Sequence, residues 1–274
     1  MPLGRTTVGS GRKQRKGQGG EDGGYDPSQG PGGKPFSLSV PDGWQISGRV
    51  TGARSAVLAG PAHIIAGKLD LAVSPESLGA VFIRWVPELS LLNENRSSLL
   101  QNKAVYPTIT AVQFIQQILF PVLHRNSENV QFTLLRSLPQ AAQRYQQRVL
   151  GLQTDRTLLY DGGICRVTYC EKGVSFEERL FTLTEIQAPH TGLKGNRETV
   201  VIRAPLHEFE QWLPLLGAVH RSLKFSGDWI EGEISRQMKA GMLGSRSAKD
   251  IQTLAEKLAA HHEQTKAEIH RELF

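Results

Sequence analysis

Residues 163–187 read GICRVTYCEKGVSFEERLFTLTEIQ, and this stretch decides the class of fold. Two runs with strand composition flank Lys172 and Gly173, and a two-residue turn that contains glycine favours a β-hairpin. A tight turn at this place sets the cross-strand pairs. These are Tyr169 with Phe176, Cys165 with Leu180, and Thr168 with Glu177.

The hairpin has an apolar face and a charged face, because successive side chains of a strand point to opposite sides. The apolar face collects Cys165, Val167, Tyr169, Val174, Phe176, Leu180 and Ile186. Glu178 falls on this face too, and a carboxylate among apolar side chains needs a hydrogen-bonding partner or a raised pKa. Arg166, Glu177 and Arg179 fall on the opposite face, as in a cross-strand ion pair. These four charged residues are the candidates for a binding surface.

Outward from the hairpin, strand composition recurs at residues 36–40, 44–51, 55–59, 78–86, 130–136 and 199–203. Apolar spacing predicts a helix over 109–124, which Pro121 should end or kink, and a short helix or polar connection over 140–150. Residues 187–198 are interpreted as a turn-rich gap. Pro205 is expected to open a helix with this apolar side: Phe209, Trp212, Leu213, Leu216, Val219 and Leu223. This order predicts an α+β fold, an antiparallel sheet flanked by helices.

Three short stretches carry a family resemblance: FSLSVPDGW at 36–44, YCEKGVSFEERLFTL at 169–183 and VVIRAPLHEFEQWLPLLGAVHRSLKF at 200–225. Together with the order of elements, they resemble the PsbP-like superfamily, which includes DcrB-like lipoproteins. The resemblance covers about residues 36–226. It implies a scaffold that carries unrelated functions, and it implies no reaction and no catalytic residues.

The two ends of the chain differ from its middle. Residues 1–35 are rich in glycine and carry six Lys/Arg against three acids, half of the net charge of +6, so we expect a disordered basic tail. Residues 227–274 are expected to form a helical extension. Ser247 and Asp250 resemble a capping box at the start of its last helix. The thin apolar stripe of this helix is a candidate partner-binding surface, and it includes Ile251, Leu254, Leu258 and Ile269.

Motifs for chemistry are absent from the sequence. No nucleophile elbow, phosphate-binding loop or histidine pair at metal-ligand spacing occurs, so we predict no catalytic residues, no metal and no cofactor. His261, His262 and His270 are interpreted as residues of a surface helix. Cys165 and Cys170 lie five apart in one strand, too far apart to form a disulfide, and are expected to be free thiols.

The function predicted from these features is a non-enzymatic accessory or protein-binding domain that engages a protein through its sheet surface or its C-terminal helices. The alternative is a small-ligand-binding protein or enzyme with a cleft between sheet and helices. A basic run begins at Arg12 and ends at Lys16, but it contains no aromatic residue, so nucleic-acid contact there should be weak. No apolar run is long enough to span a membrane and no secretory signal is visible, so a cytoplasmic location is expected. Partner identity and oligomeric state stay open.

Overall fold

The structure is a computed structural model, and it describes residues 34–50, 61–66, 68–76, 79–89, 109–152, 158–187 and 192–274. Along these residues the strands are β1 (Phe36–Ser37), β2 (Gln45–Val50), β3 (Leu69–Ser74), β4 (Phe82–Trp85), β5 (Glu128–Ser137), β6 (Leu158–Glu171), β7 (Val174–Gln187), β8 (Gly192–Pro205) and β9 (Lys224–Phe225). The α-helices are α1 (Ala111–Phe114), α2 (Phe120–Leu123), α3 (Pro139–Leu150), α4 (Phe209–Ser222), α5 (Gly227–Lys239) and α6 (Ala248–Leu273). A π-helical turn (Ile115–Leu119) joins α1 to α2, and a 3-10 helix covers Pro61–Ile64.

The main sheet has seven strands in the order β2-β3-β4-β8-β7-β6-β5, and each neighbouring pair is antiparallel. Strands β1 and β9 form a separate two-stranded sheet. In the main sheet β2 and β5 are the two edge strands. The structure therefore confirms the predicted class, an antiparallel sheet flanked by helices.

The hairpin of β6 and β7 has the register that the sequence predicts. Tyr169 pairs with Phe176, Cys165 with Leu180, and Thr168 with Glu177. Lys172 and Gly173 have φ values of 52° and 79°, as a type I′ hairpin turn requires. Local turn geometry is thus enough to align fourteen residues of each strand.

Both faces of the main sheet are buried along its central strands. The α4 face, which carries Ile164, Phe181 and Val200, belongs to the large core cluster under α3, α4 and α6. The α1 face, which carries Cys165, Leu180 and Val201, packs under α1 and the π-helical turn. The domain is therefore built in three layers, with the sheet in the middle.

Close approach of α1 to the sheet depends on a glycine. A Cβ atom at Gly163 of β6 would lie 2.9 Å from the backbone nitrogen of Val112, closer than real contacts allow. Asp161 reinforces the contact, since its Oδ2 accepts a hydrogen bond from the Ala111 nitrogen at 2.7 Å. Thr110 and Gln113 form a capping box at the same helix end.

Several sequence predictions are confirmed with adjusted bounds. The strand predicted at 78–86 is β4, the strand at 130–136 is β5, and the helix at 140–150 is α3. The helix at 109–124 consists of α1, the π-helical turn and α2. It ends at Leu123, two residues after Pro121, and the π-helical turn lies just before the proline, which supplies no N–H for the carbonyl one turn back.

Other predictions are corrected by the structure. Of the strand predicted at 36–40, only Phe36–Ser37 is strand. It pairs with β9, which lies about 190 residues later in the chain. Strand β3 (Leu69–Ser74) was not predicted, although its residues alternate between buried and half-buried. The strand predicted at 55–59 lies outside the described residues, as does the basic tail through residue 33.

The segment before α4 also differs from its prediction. The predicted turn-rich gap at 187–198 is largely strand, because β8 runs from Gly192 to Pro205, and it tolerates Gly195 at a register shift against β7. Pro205 therefore ends a strand and does not open the helix, which begins at Phe209.

The two C-terminal helices are α5 and α6. The predicted capping box is confirmed, since the Ser247 side chain accepts from the Asp250 nitrogen and Asp250 accepts in return. Residues of both helices, Trp229 and Leu258 among them, belong to the same core cluster as the α4 face of the sheet. The division of the chain at residue 226 stays a prediction about sequence organisation.

Candidate functional site

Arg166, Glu177 and Arg179 meet on the α4 face, as the hairpin register predicts. Arg166 Nη2 lies 2.5 Å from Glu177 Oε2, and Arg179 Nε lies 3.5 Å from Glu177 Oε1. Glu177 is buried, so its charge is balanced by two arginines in a site of reduced solvent screening.

Arg179 connects this group to the helical layer. Its Nη2 atom lies 2.7 Å from Glu210 Oε1 of α4, and its Nη1 donates to the Leu273 carbonyl at 3.1 Å, near the end of α6. The guanidinium also lies 4.7 Å from the ring centroid of Phe209. The charged group thus ties α4 and α6 to the sheet. Its role as a binding surface for a partner stays a prediction.

Glu178 lies on the α1 face, apart from the other three candidates. Its carboxylate is fully buried and accepts a hydrogen bond from Tyr169 Oη at 2.8 Å, while His124 Nε2 lies 3.0 Å away. Burial, and then the charge of Glu178, raises the pKa of Tyr169 well above its ordinary value, so the phenol stays a donor. Arg203 donates from Nη1 to the same phenol oxygen at 3.3 Å and pairs with Glu171 at 2.7 Å.

This Glu178 cluster contains residue types that perform acid and base catalysis elsewhere, but it is closed. Glu178, Tyr169 and His124 are 0%, 2% and 7% exposed, so a substrate cannot reach the carboxylate in this conformation. What the cluster does in the fold is satisfy the charge of Glu178 and join α2 to strands β6, β7 and β8.

A second buried network was missed by the sequence analysis. Glu185 of β7 is fully buried; its Oε2 accepts from Tyr160 Oη at 2.8 Å, and Arg197 binds both carboxylate oxygens, at 3.0 and 2.8 Å. His63 Nε2 lies 2.7 Å from the same Oε2. Burial alone would raise the pKa of Glu185, but the hydrogen bond with His63 and the charge of Arg197 hold it well below its usual range. Its position in the strand, two residues after buried Leu183, is the signal that could have found it.

The stripe on α6 packs against the protein's own core. Leu254, Leu258 and Ile269 are buried, and Ile251 is half-buried against the same cluster. Ion pairs hold the helix as well: Glu268 binds Arg144 at 2.6 Å and Arg148 at 2.9 Å, both from α3. The helix therefore docks on the core and on α3 of the same chain. Binding of a further partner by the stripe stays a prediction.

The prediction that the histidines of α6 lie on a surface helix is wrong for two of them. His261 and His262 are buried, not surface residues, because the helix docks with that side inward. On α4, His220 is fully buried between Trp85 and His270, with its ring stacked on both at centroid distances of 6.0 and 5.7 Å. The ring nitrogens of His220, His261 and His262 have no hydrogen-bond partner within the described part of the chain.

Burial lowers the pKa of these histidines. The pKa of His220 and that of His262 fall to about 3, and that of His261 falls to about 4. Positive groups nearby act in the same direction as burial, chiefly His270 and Lys266 around His220, and Arg148 beside His261. All three rings are therefore neutral at pH 7, and protonation opposes the docking of α6.

Among the described residues, edge strand β5 carries more exposed large apolar side chains than any other strand. Nine of its ten residues are exposed and the tenth, Phe132, is half-buried against Phe120. Its exposed apolar residues are Val130, Leu134 and Leu135. Within the described sheet, β5 pairs only with β6, so its outer row of N–H and C=O groups faces solvent. The sequence predicted the strand but not its place at the edge.

The alternative of a cleft between sheet and helices gains no support from the cavity that is described. That cavity measures about 330 Å³ and is lined by residues of β9 and α6 alone: Lys224, Phe225, Ala259, His262 and Glu263. Among the described residues, no group of three or more His, Cys, Asp or Glu could hold a metal ion. In the same part of the chain, no helix has both the length and the apolar character to cross a membrane.

Comparison with known proteins adds little to this description. No protein-family model and no curated protein matches the chain. Among solved structures, it is similar to the solution structure of cyanobacterial PsbP (CyanoP) from Synechocystis sp. PCC 6803, with 11% identity, 70% of this chain and 87% of that chain covered, and a TM-score of 0.32. A likeness at this level carries no argument about fold or function. The resemblance to the PsbP-like superfamily therefore stays a prediction from the sequence.

Proposed function

We propose that this chain is a non-enzymatic protein-binding domain that binds a partner through edge strand β5. The observation that carries the proposal is the exposure of this ten-residue strand, with apolar side chains at Val130, Leu134 and Leu135. A polypeptide added to such an edge gains a ladder of main-chain hydrogen bonds, and the alternating side chains give specificity.

The other two candidate surfaces are already covered by parts of the same chain, which leaves the edge of the sheet as the surface open to a partner. Both faces of the main sheet pack under helices, and the stripe of α6 packs on the same core. The partner-binding role first assigned to the sheet surface or the C-terminal helices is therefore best assigned to the sheet's edge. The second edge strand, β2, is a poorer candidate, because none of its exposed residues is a large apolar one.

The test is affinity capture from the source organism with three forms of the full chain: wild type, Leu134→Lys and Val174→Lys. Leu134 and Val174 are 41% and 43% exposed, so each change replaces a comparable aliphatic surface with a charge, but only Leu134 lies on the edge. Circular dichroism checks that all three forms fold. We expect capture by wild type and Val174→Lys and its loss with Leu134→Lys. Equal capture by all three forms, or no capture by wild type, refutes the proposal.

A further inference from the structure

Strand β5 is complementary to itself when two copies run antiparallel. If Phe132 of one copy lies opposite Phe132 of the other, the ladder positions of β5 beside β6 place Glu128 opposite Arg136 and Val130 opposite Leu135. Gln131 then lies opposite Leu134. The two-fold axis repeats each of these pairs, so the interface contains two ion pairs and two aliphatic pairs.

The neighbouring register lacks this complementarity. A shift by one ladder position places Glu128 opposite Leu135 and Val130 opposite Leu134, residues that point to opposite faces, which removes both kinds of pair. Glu128 and Arg136 are both exposed, and in the ladder with β6 both lie opposite even-numbered residues, Cys170 and Ile164. They therefore point to the same face of the sheet, as residues that meet across an antiparallel pair must.

We propose that β5 of one chain pairs antiparallel with β5 of a second copy, centred on Phe132, to form one continuous sheet. This inference rests on the proposed function, because it names the partner of the same edge. Directly opposite residues of unlike charge and of apolar character are the pairs that stabilise antiparallel strands. The partner is accordingly a copy of this chain, recognised by the order of charged and apolar residues along one strand.

Two features of β5 limit the strength of the pairing. The ladder with β6 shifts register between Glu128 and Gln131 and again between Phe132 and Leu134, and such irregularities twist an edge strand. Arg136 also pairs with Glu272 of its own α6 at 2.7 Å, although its side chain stays 53% exposed. We therefore expect a reversible dimer whose population rises with concentration.

The test is a charge exchange followed by sedimentation equilibrium from about 1 to about 200 µM chain. Glu128→Lys places the new lysine opposite Arg136 of the second copy, and Arg136→Glu places the new glutamate opposite Glu128. Each single variant should dimerise about ten- to thirtyfold more weakly than wild type, because two attractive pairs become repulsive. An equimolar mixture of the two variants restores both attractive pairs and should dimerise as wild type does.

The control is Glu272→Gln, which removes the internal partner of Arg136 without changing β5. It should leave dimerisation unchanged or strengthen it. A monomeric wild type over the whole range overturns the self-pairing, and so does a mixture that fails to recover. If the wild type is monomeric while Leu134→Lys still abolishes capture of another protein, the proposed function stands and only the identity of the partner is wrong.

Discussion

The replacement His220→Phe should make the protein less sensitive to acid. His220 is fully buried, and its ring stacks between Trp85 and His270 without a hydrogen-bond partner for either nitrogen in the described chain. Phenylalanine keeps the flat ring and removes the titrating group. At pH 7.5 the substitution should be neutral or stabilising by about 1 kcal/mol, since it removes a buried donor that forms no hydrogen bond.

The magnitude of the acid effect follows from the pKa of the ring in the two states. Burial lowers the pKa of His220 from 6.5 to about 3, so below pH 6.5 the unfolded chain binds a proton that the folded chain does not. Above pH 6.5 the buried His220 ring causes no loss of stability. Below it, the free energy of unfolding falls as the pH drops toward about 3. At pH 5 the loss from this residue is about 2 kcal/mol. His261 and His262 add similar losses, so the three together cost about 6 kcal/mol, a large part of the stability of an ordinary domain.

The assay is urea denaturation at pH 7.5 and pH 5.0, followed by tryptophan fluorescence. The pH interval is chosen because Glu185 and Glu233, whose pKa values lie below 4.5 in the folded state, are ionised in both states over most of it. Between the two pH values the wild type should lose about 2 kcal/mol more than His220→Phe. The control is His207→Asn, at a histidine whose side chain is 79% exposed, which should behave as the wild type does.

An identical pH dependence for wild type and His220→Phe would refute this reasoning. It would mean that the ring either finds a partner for its proton or is reached by water in the folded state. A loss of m-value on acidification would point instead to α6 leaving the core before the rest unfolds, because m scales with the surface exposed.

Three further predictions concern other parts of the domain. Cys170 should react with a thiol reagent in the native protein, whereas Cys165 should react only on unfolding, because burial raises the pKa of the Cys165 thiol to about 12. Mass spectrometry of the labelled peptides checks this, and equal labelling rates at the two cysteines would contradict it. Gly163→Ala should destabilise the domain by about 1–3 kcal/mol in thermal or urea unfolding, because the new methyl group forces α1 off the sheet; an unchanged midpoint would show that α1 moves freely. Glu178→Gln should lower the free energy of unfolding by about 1–3 kcal/mol, since one hydrogen bond of the buried cluster is lost. The exposed Glu128→Gln should lower it by less than about 0.5 kcal/mol, and similar values for both would refute a structural role for the cluster.

Local signals in the sequence were enough to predict several features correctly. The two-residue turn at Lys172 and Gly173 aligned β6 with β7, because a tight turn permits a single register. Ser247 and Asp250 marked the start of α6, because capping involves groups three residues apart. Glu178 lies two residues from Phe176 and two from Leu180, so the alternation of side chains along a strand placed it on the apolar face. Its need for a partner could therefore be foreseen.

The tertiary structure alone decided what these elements contact. The order of strands brings β4 beside β8 from a distant part of the chain and leaves β5 at the edge, which no local pattern encodes. The same assembly buries Glu185 with Arg197 and His220 with His270, pairs whose members belong to different strands or different helices. Turn and cap geometry depends on neighbours along the chain and is readable from it. The partners of a buried charge, and the strand left open to solvent, depend on which distant segments pack together to remove apolar surface from water.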